Sequence, residues 1–226
     1  YVWDGSTLAT ITDPDFMQAT SVAFVDQYMA TSIYNTGRYQ ISALADATSY
    51  DALDVATAEA RPDKLRRVYV SDRDLLLFGV NSTEAAYNSG AADFPFTPTQ
   101  LFFALGLKGR DCVASVDNSV AFLADDGTVR IIRGGTPLVI STPSIANTIA
   151  GWNDPSTAQA FSFSLRNHQF WVLRHDDGCV VWDASAPPEE AWHVRRSYGM
   201  DTWRIAYAVS IWGVTVFGEA DGQKLY

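Results

Sequence analysis

The chain has 226 residues, of which 47% are hydrophobic and 19% charged, and its formal net charge is −10. This composition supplies a sizeable core and excludes a disordered chain, while the lack of any apolar run of about 18 residues predicts no membrane helix, and no signal segment opens the chain. With 16 basic residues against 26 acidic ones, and only Lys64, Arg66 and Arg67 clustered, tight binding to duplex DNA is not expected.

Taken in order, YVWDGSTLATIT (1–12) starts without a methionine and reads as the outer half of a repeat unit in a piece of a longer protein, with ATIT (9–12) as its strand. SVAFVDQYMATSI (21–33) follows: an apolar strand, a polar pair at Asp26-Gln27, a second apolar strand. GRYQISAL (37–44) adds a third strand behind the turn residues Asn35-Thr36-Gly37. Asp51 to Ala60 (DALDVATAEA) is rich in Ala and reads as a short helix stopped by Pro62.

The strand–turn–strand pattern then recurs. VYVSDRDLLLFG (68–79) turns at Asp72-Arg73 and is followed by STEAAYNS (82–89) and FPFTPTQ (94–100). VASVDNSVAFLA (113–124) turns at Asp117-Asn118, followed by GTVRIIRG (127–134) and TPLVIST (136–142), with a turn of helix predicted from Pro143 to Ala150. FSFSLRNHQFWVL (161–173) turns at Arg166-Asn167 and leads to GCVVWDA (178–184) and AWHVRRS (191–197). IAYAVSIWGVTVFG (205–218), with its turn placed at Ser210-Ile211, and GQKLY (222–226) end the series. Asp-Gly pairs at Asp126-Gly127, Asp177-Gly178 and Asp221-Gly222 suit hairpin turns, because Gly reaches positive φ freely and Asp bonds its own backbone.

The spacing of roughly 45 residues predicts an all-β fold, a β-propeller of four-stranded blades with about five blades in one domain over 1–226. Both ends carry an incomplete blade. Either they pair and close a five-bladed ring, or the remaining blades lie outside this chain. If the ring stays open, Val2 to Thr12 and Gly222 to Tyr226 expose strand edges, to be covered by absent chain or by neighbouring subunits.

Motifs of chemistry are sparse, and no catalytic, cofactor or metal residue is assigned. The Trp-Asp pairs Trp3-Asp4 and Trp182-Asp183 lack the upstream Gly-His of WD repeats and read as strand ends before turns. His168, His175 and His193 show no metal-ligand spacing; His168 and His175 read as a surface pair at the two ends of one hairpin. The turns Asp125-Asp126 and Asp176-Asp177 are too short to surround a calcium ion. The run from Asp176 to Trp182 misses the Asp-box of propeller glycosidases by one residue, and 26 acids nominate no carboxylate pair. Cys112 and Cys179 read as small buried hydrophobes in a chain made in a reducing compartment. Alternating aromatics such as Phe161, Phe163 and Trp171 suit packing between blades, whereas Phe94, Phe96, Phe102 and Phe103 fall in a long connection and serve either packing or a protein interface.

YVWDGSTLATITDPDF (1–16), the run from SVAFVDQYM to SYDALDVATAEARPD (21–63) and NSTEAAYNSGAADFPF (81–96) resemble the packaged-DNA stabilization proteins of short-tailed phages, also called tail accessory factors or the tail hub. The resemblance continues through VVWDASAPPEEAWHVRRS (180–197) to VFGEADGQKLY (216–226). It implies a virion tail protein assembled in the bacterial host cytoplasm, a ring of copies of itself taken as a hexamer, and no enzyme. The implied partners are the portal and its adaptor ring, the tail needle and the tailspikes, with packaged DNA met only through closure of the channel and no membrane in the assembled state. A propeller glycoside hydrolase or carbohydrate-binding module is the alternative that the blade pattern leaves open.

Overall fold

The computed structural model describes every residue except Asp4, Glu59 and Gln223. Among the described residues, strands form four four-stranded sheets and two two-stranded ones, every pairing antiparallel, and the chain divides into two compact units, Tyr1–Gly106 and Leu107–Tyr226.

In the first unit, β1 (Val2–Trp3) and β2 (Leu8–Ala9) form a small ribbon. The predicted strand ATIT is thus shortened and moved: only Ala9 of it pairs, because the following residues descend to an Asx turn in which Asp13 accepts the Asp15 N–H at 2.9 Å. β3 (Ala19–Val25), β4 (Tyr28–Ile33), β5 (Arg38–Ala43) and β6 (Asp46–Thr57) make the first full sheet, ordered as they occur in the chain. The helix expected over 51–60 is instead the far half of β6. Its Ala-rich composition favours a helix, but β5 offers a ladder that a helix would leave open: Thr57, Ala56 and Val55 pair with Arg38, Tyr39 and Gln40. Glu59 of that stretch lies outside the described residues.

β7 (Leu65–Ser71), β8 (Asp74–Gly79), β9 (Thr83–Asn88) and β10 (Phe96–Phe103) make the second sheet. Alternate residues of the two sheets interlock: Val25, Ala30, Tyr39 and Ile41 meet Val68, Leu75, Leu77 and Phe96 in one buried cluster. Each of the valine, leucine, isoleucine and phenylalanine side chains among them contributes about 2 kcal/mol through the apolar surface it removes from water. Polar ties set the sheets in register: the Val68 N–H donates to Ser21 Oγ at 2.9 Å, and the Leu65 N–H to the Thr36 carbonyl at 2.8 Å.

The second unit repeats the scheme with β11 (Val113–Val116), β12 (Ser119–Leu123), β13 (Val129–Arg133) and β14 (Thr136–Val139), then β15 (Gln159–Leu165), β16 (His168–His175), β17 (Gly178–Asp183) and β18 (Trp192–Val194). Between the sheets runs α1 (Pro143–Ala150), at the predicted place: Thr142 caps it by accepting the Ile145 N–H at 3.3 Å, and Ile145 and Ile149, four apart, are buried. β19 (Ile205–Ile211) and β20 (Val214–Glu219) form a last hairpin. Its turn is Trp212-Gly213, two residues beyond the expected Ser210-Ile211, because both central residues sit at positive φ (51° and 78°) and the glycine takes that conformation without strain. GQKLY makes no full strand; Leu225 bridges Gly218, and Phe217 and Tyr226 exchange backbone hydrogen bonds at 3.0 and 2.9 Å. Gln223 lies outside the described residues.

Candidate interaction surfaces

The residues singled out for chemistry serve the framework. Trp182 is buried at the end of β17, and Asp183 accepts from His168 Nδ1 at 2.6 Å and from the Ser185 N–H at 2.9 Å, a strand end held by a turn; Asp4 of the other Trp-Asp pair lies outside the described residues. The two histidines of β16 are not a surface pair. His168 is half-exposed, but His175 is buried, its Nε2 3.1 Å from Thr157 Oγ1, its Nδ1 accepting from the Asp177 N–H at 3.1 Å and its ring stacked on Trp152 at 5.2 Å. Tertiary packing of Trp152 over that end of the strand covers a residue that the hairpin alone would expose.

The acidic turns are occupied from within. Asp126 accepts the Thr128 N–H and hydroxyl at 2.9 and 2.6 Å and the Arg130 guanidinium at 2.7 Å. Burial opposes ionisation there, yet these bonds hold the carboxyl below its usual range. Asp177 accepts the Asn153 N–H at 2.6 Å. Cys112 and Cys179 are free and buried, and burial pushes the Cys179 thiol up to about 12. No group of three or more His, Cys, Asp or Glu side chains able to hold a metal gathers among the described residues.

The aromatics divide between core and surface. Phe161 and Phe163 are buried with Val172 and Ile205, against Phe170, Trp203 and Phe217. Over this cluster lies Arg195, its guanidinium 5.3 Å from the Phe163 ring and 5.0 Å from those of Phe170 and Trp203, donating from Nε to His193 Nε2 at 3.1 Å. Burial, and then the Arg195 charge, hold His193 below the usual histidine range. Of the four phenylalanines weighed for an interface, Phe96 and Phe103 are buried and Phe94 packs on the first core; Phe102 alone is exposed. Most of that stretch is an outer strand, so its inward faces meet the neighbouring sheet.

Two apolar surfaces stay open among the described residues, neither of them singled out from the sequence. In the first unit a cleft of about 640 Å³ lies against the outer face of β3 and β4, bounded by Trp3, Phe16, Val22, Met29 and Tyr50. None of the described residues lining it has a charged side chain. The hydroxyls along it are engaged within the sheet, Thr20 Oγ1 and Ser21 Oγ each 2.7 Å from Ser32 Oγ. In the second unit, β19 and β20 turn Ala208 and Phe217 onto the aromatic core. Their other face shows Tyr207, Val209, Ile211 and Val214, and Trp212 stands at the hairpin tip with 91% of its surface exposed. The signal that could have found these faces is apolar residues at both parities of an end strand, as in Ser-Val-Ala-Phe-Val and Ile-Ala-Tyr-Ala-Val, where one parity alone has a sheet to meet.

Sheets of four sequential antiparallel strands, repeated along the chain with a tight first hairpin, define a β-propeller protein. The chain belongs to the phage stabilisation family, described as Bacteriophage P22 Gp10, beta-propeller, whose model matches residues 1–226. No curated protein matches. Among solved structures it is similar to BamB from Moraxella catarrhalis, with 10% identity and a TM-score of 0.50 over 90% of this chain and 62% of that one. It is also similar to the dihydro-heme d1 dehydrogenase NirN in complex with DHE, with 13% identity and a TM-score of 0.55 over 90% of this chain and 42% of that one. At these identities the likeness concerns the fold alone, and the chain spans less than two thirds of either protein.

Proposed function

We propose that this chain is part of a structural tail-hub protein of a phage particle, which seals the portal channel after DNA packaging, stabilises the packaged genome and joins the portal adaptor to the tail needle and tailspikes. The observation that carries the reading is the family match along all of residues 1–226. The working parts are surfaces rather than a reaction centre: Asp126, Asp177, Asp183 and His175 are engaged in turns and strand ends, and two apolar faces stand open beside them. The net charge of −10 suits a component that meets DNA by closing a channel rather than by gripping phosphates. The protein acts without catalysis, as a ring of copies in the virion tail, put together in the host cytoplasm.

The test is a reconstruction of the intact particle, together with native mass spectrometry of the full-length protein with its portal partners. A ring below the portal, and loss of packaged DNA from particles lacking the protein, is the expected result. A protein that stays monomeric with every tail component present and appears nowhere in the particle overturns the reading. Hydrolysis of a glycan panel by the purified protein would turn the assignment to the glycosidase alternative.

A further inference from the structure

We infer that the free edge of β18 is a pairing site for a second copy of the protein, the two β18 strands running antiparallel about an axis at His193. The contact lies on a complete four-stranded sheet inside the second unit, and it goes beyond the reading of the protein as a ring.

The backbone decides which groups are on offer. The Asp183 N–H donates to the Ala191 carbonyl at 2.7 Å and the Arg195 N–H to the Cys179 carbonyl at 3.0 Å, so Ala191, His193 and Arg195 turn their backbone groups towards β17. Those of Trp192 and Val194 point the other way, to the free edge of the sheet. The other full sheets guard that edge. Pro98 in β10 and Pro137 in β14 stand at positions whose backbone faces outwards, so each deletes a donor from its edge, and β6 breaks register twice. β18 has neither a proline nor a break.

The side chains make this edge complementary to itself. With His193 opposite its own copy, Trp192 comes opposite Val194, Ala191 opposite Arg195 and Glu190 opposite Arg196. This is a register the backbone allows, because Trp192 and Val194 then exchange N–H···O bonds across the axis. Trp192 with Val194 is an aromatic–β-branched pair. Glu190 with Arg196, both exposed, is an opposite-charge pair, and both kinds stabilise neighbouring strands. Copies of net charge −10 repel one another, but this short run carries both signs in an order that pairs with itself. At the axis the two imidazoles meet without repulsion, since His193 Nε2 accepts from Arg195 Nε at 3.1 Å and the ring is uncharged. Such a two-fold contact uses the same patch on both copies and closes at two. It cannot by itself build a ring, which needs unlike patches meeting head to tail.

Sedimentation velocity of the full-length protein, without its portal partners, tests the contact, with far-UV circular dichroism to show that each variant keeps the wild-type fold. The wild type should pass from monomer to dimer with rising concentration. Val194→Pro takes a donor from the free edge and none from the ladder with β17, as Pro98 and Pro137 do in their own strands, and should leave only monomer. Glu190→Arg and Arg196→Glu set like charges opposite one another, and each should weaken the dimer by about tenfold. An equal mixture of these two variants should form mixed dimers as stable as the wild type, since every charge then meets its opposite. Oxidised His193→Cys should link two chains through that position. Glu190→Cys should not, because its copies lie about 20 Å apart along the paired strands. A wild type that stays monomeric at every concentration, as it would if further chain covered the edge, overturns the pairing. So does a Val194→Pro variant that dimerises like the wild type, a mixture of charge variants that forms no mixed dimer, or a link made as readily at Glu190→Cys as at His193→Cys.

Discussion

Asp63 shows how a single carboxylate holds a loop crossing in place. Its two oxygens accept the N–H groups of Lys64 at 2.9 Å, Asn81 at 2.6 Å and Ser82 at 3.0 Å, tying the entry of β7 to the turn after β8. A Cβ on Gly79 would strike this carboxylate, so the glycine exists to let it in. Asp63→Ala strands three backbone donors and should cost about 2 kcal/mol, read from urea denaturation, with Asp63→Asn losing less because one oxygen remains. His193 makes a second residue-scale case. Its Nε2 accepts from Arg195 and so has to be unprotonated, which agrees with its lowered pKa. A histidine whose folded value is depressed contributes stability that is complete above its unfolded value and is lost as pH falls. The unfolding midpoint should therefore drop as pH falls below about 6.5, and His193→Gln, whose amide oxygen can accept the same bond, should remove that part of the slope. An unchanged slope in the variant would show that other groups carry it.

Turns and edges decide the elements. Four of the five first hairpins hold both central residues at positive φ: Asp26-Gln27, Asp117-Asn118, Arg166-Asn167 and Trp212-Gly213. Such turns match the right-handed twist of the strands they join. Gln27, at φ 70°, has the largest positive φ of the non-glycine residues in these turns, where a Cβ crowds the backbone. Gln27→Gly should raise stability by about 0.5–1 kcal/mol, measured by thermal and chemical unfolding; a loss would mean that the glycine's freedom in the unfolded chain outweighs the relieved strain. The outer strands are defended by other means. Pro98 in β10 and Pro137 in β14 remove donors from outer strands, and β6 breaks register twice along β5, which blunts its free edge.

For the whole molecule, charge sets the terms of association. Duplex DNA should not be retained in mobility-shift assays even at about 50 mM salt, where contacts to phosphates are strongest; binding with a steep salt dependence would contradict the acidic-surface reading.

The hairpins were legible in the residues because their causes are local. Two-residue periodicity, apolar runs of strand length and turn pairs such as Asp117-Asn118 act within a dozen positions, and they located every first hairpin and the third strand behind each of the four full sheets. Asp126, as a turn residue, and Cys112 and Cys179, as buried thiols, were readable for the same reason. Tertiary structure alone decided the rest. Asp51 to Thr57 became strand because β5, joined to β6 by a short turn, presents a row of unpaired backbone groups that outweighs the helical preference of alanine. Phe96 and Phe103 went inside, and His175 was covered, because sheets and loops distant in sequence were laid over them. The open faces at Val22 and Val209 were hidden from the residues for the converse reason: an apolar side chain reads the same whether a neighbouring sheet covers it or not, and that depends on where the fold places the next sheet.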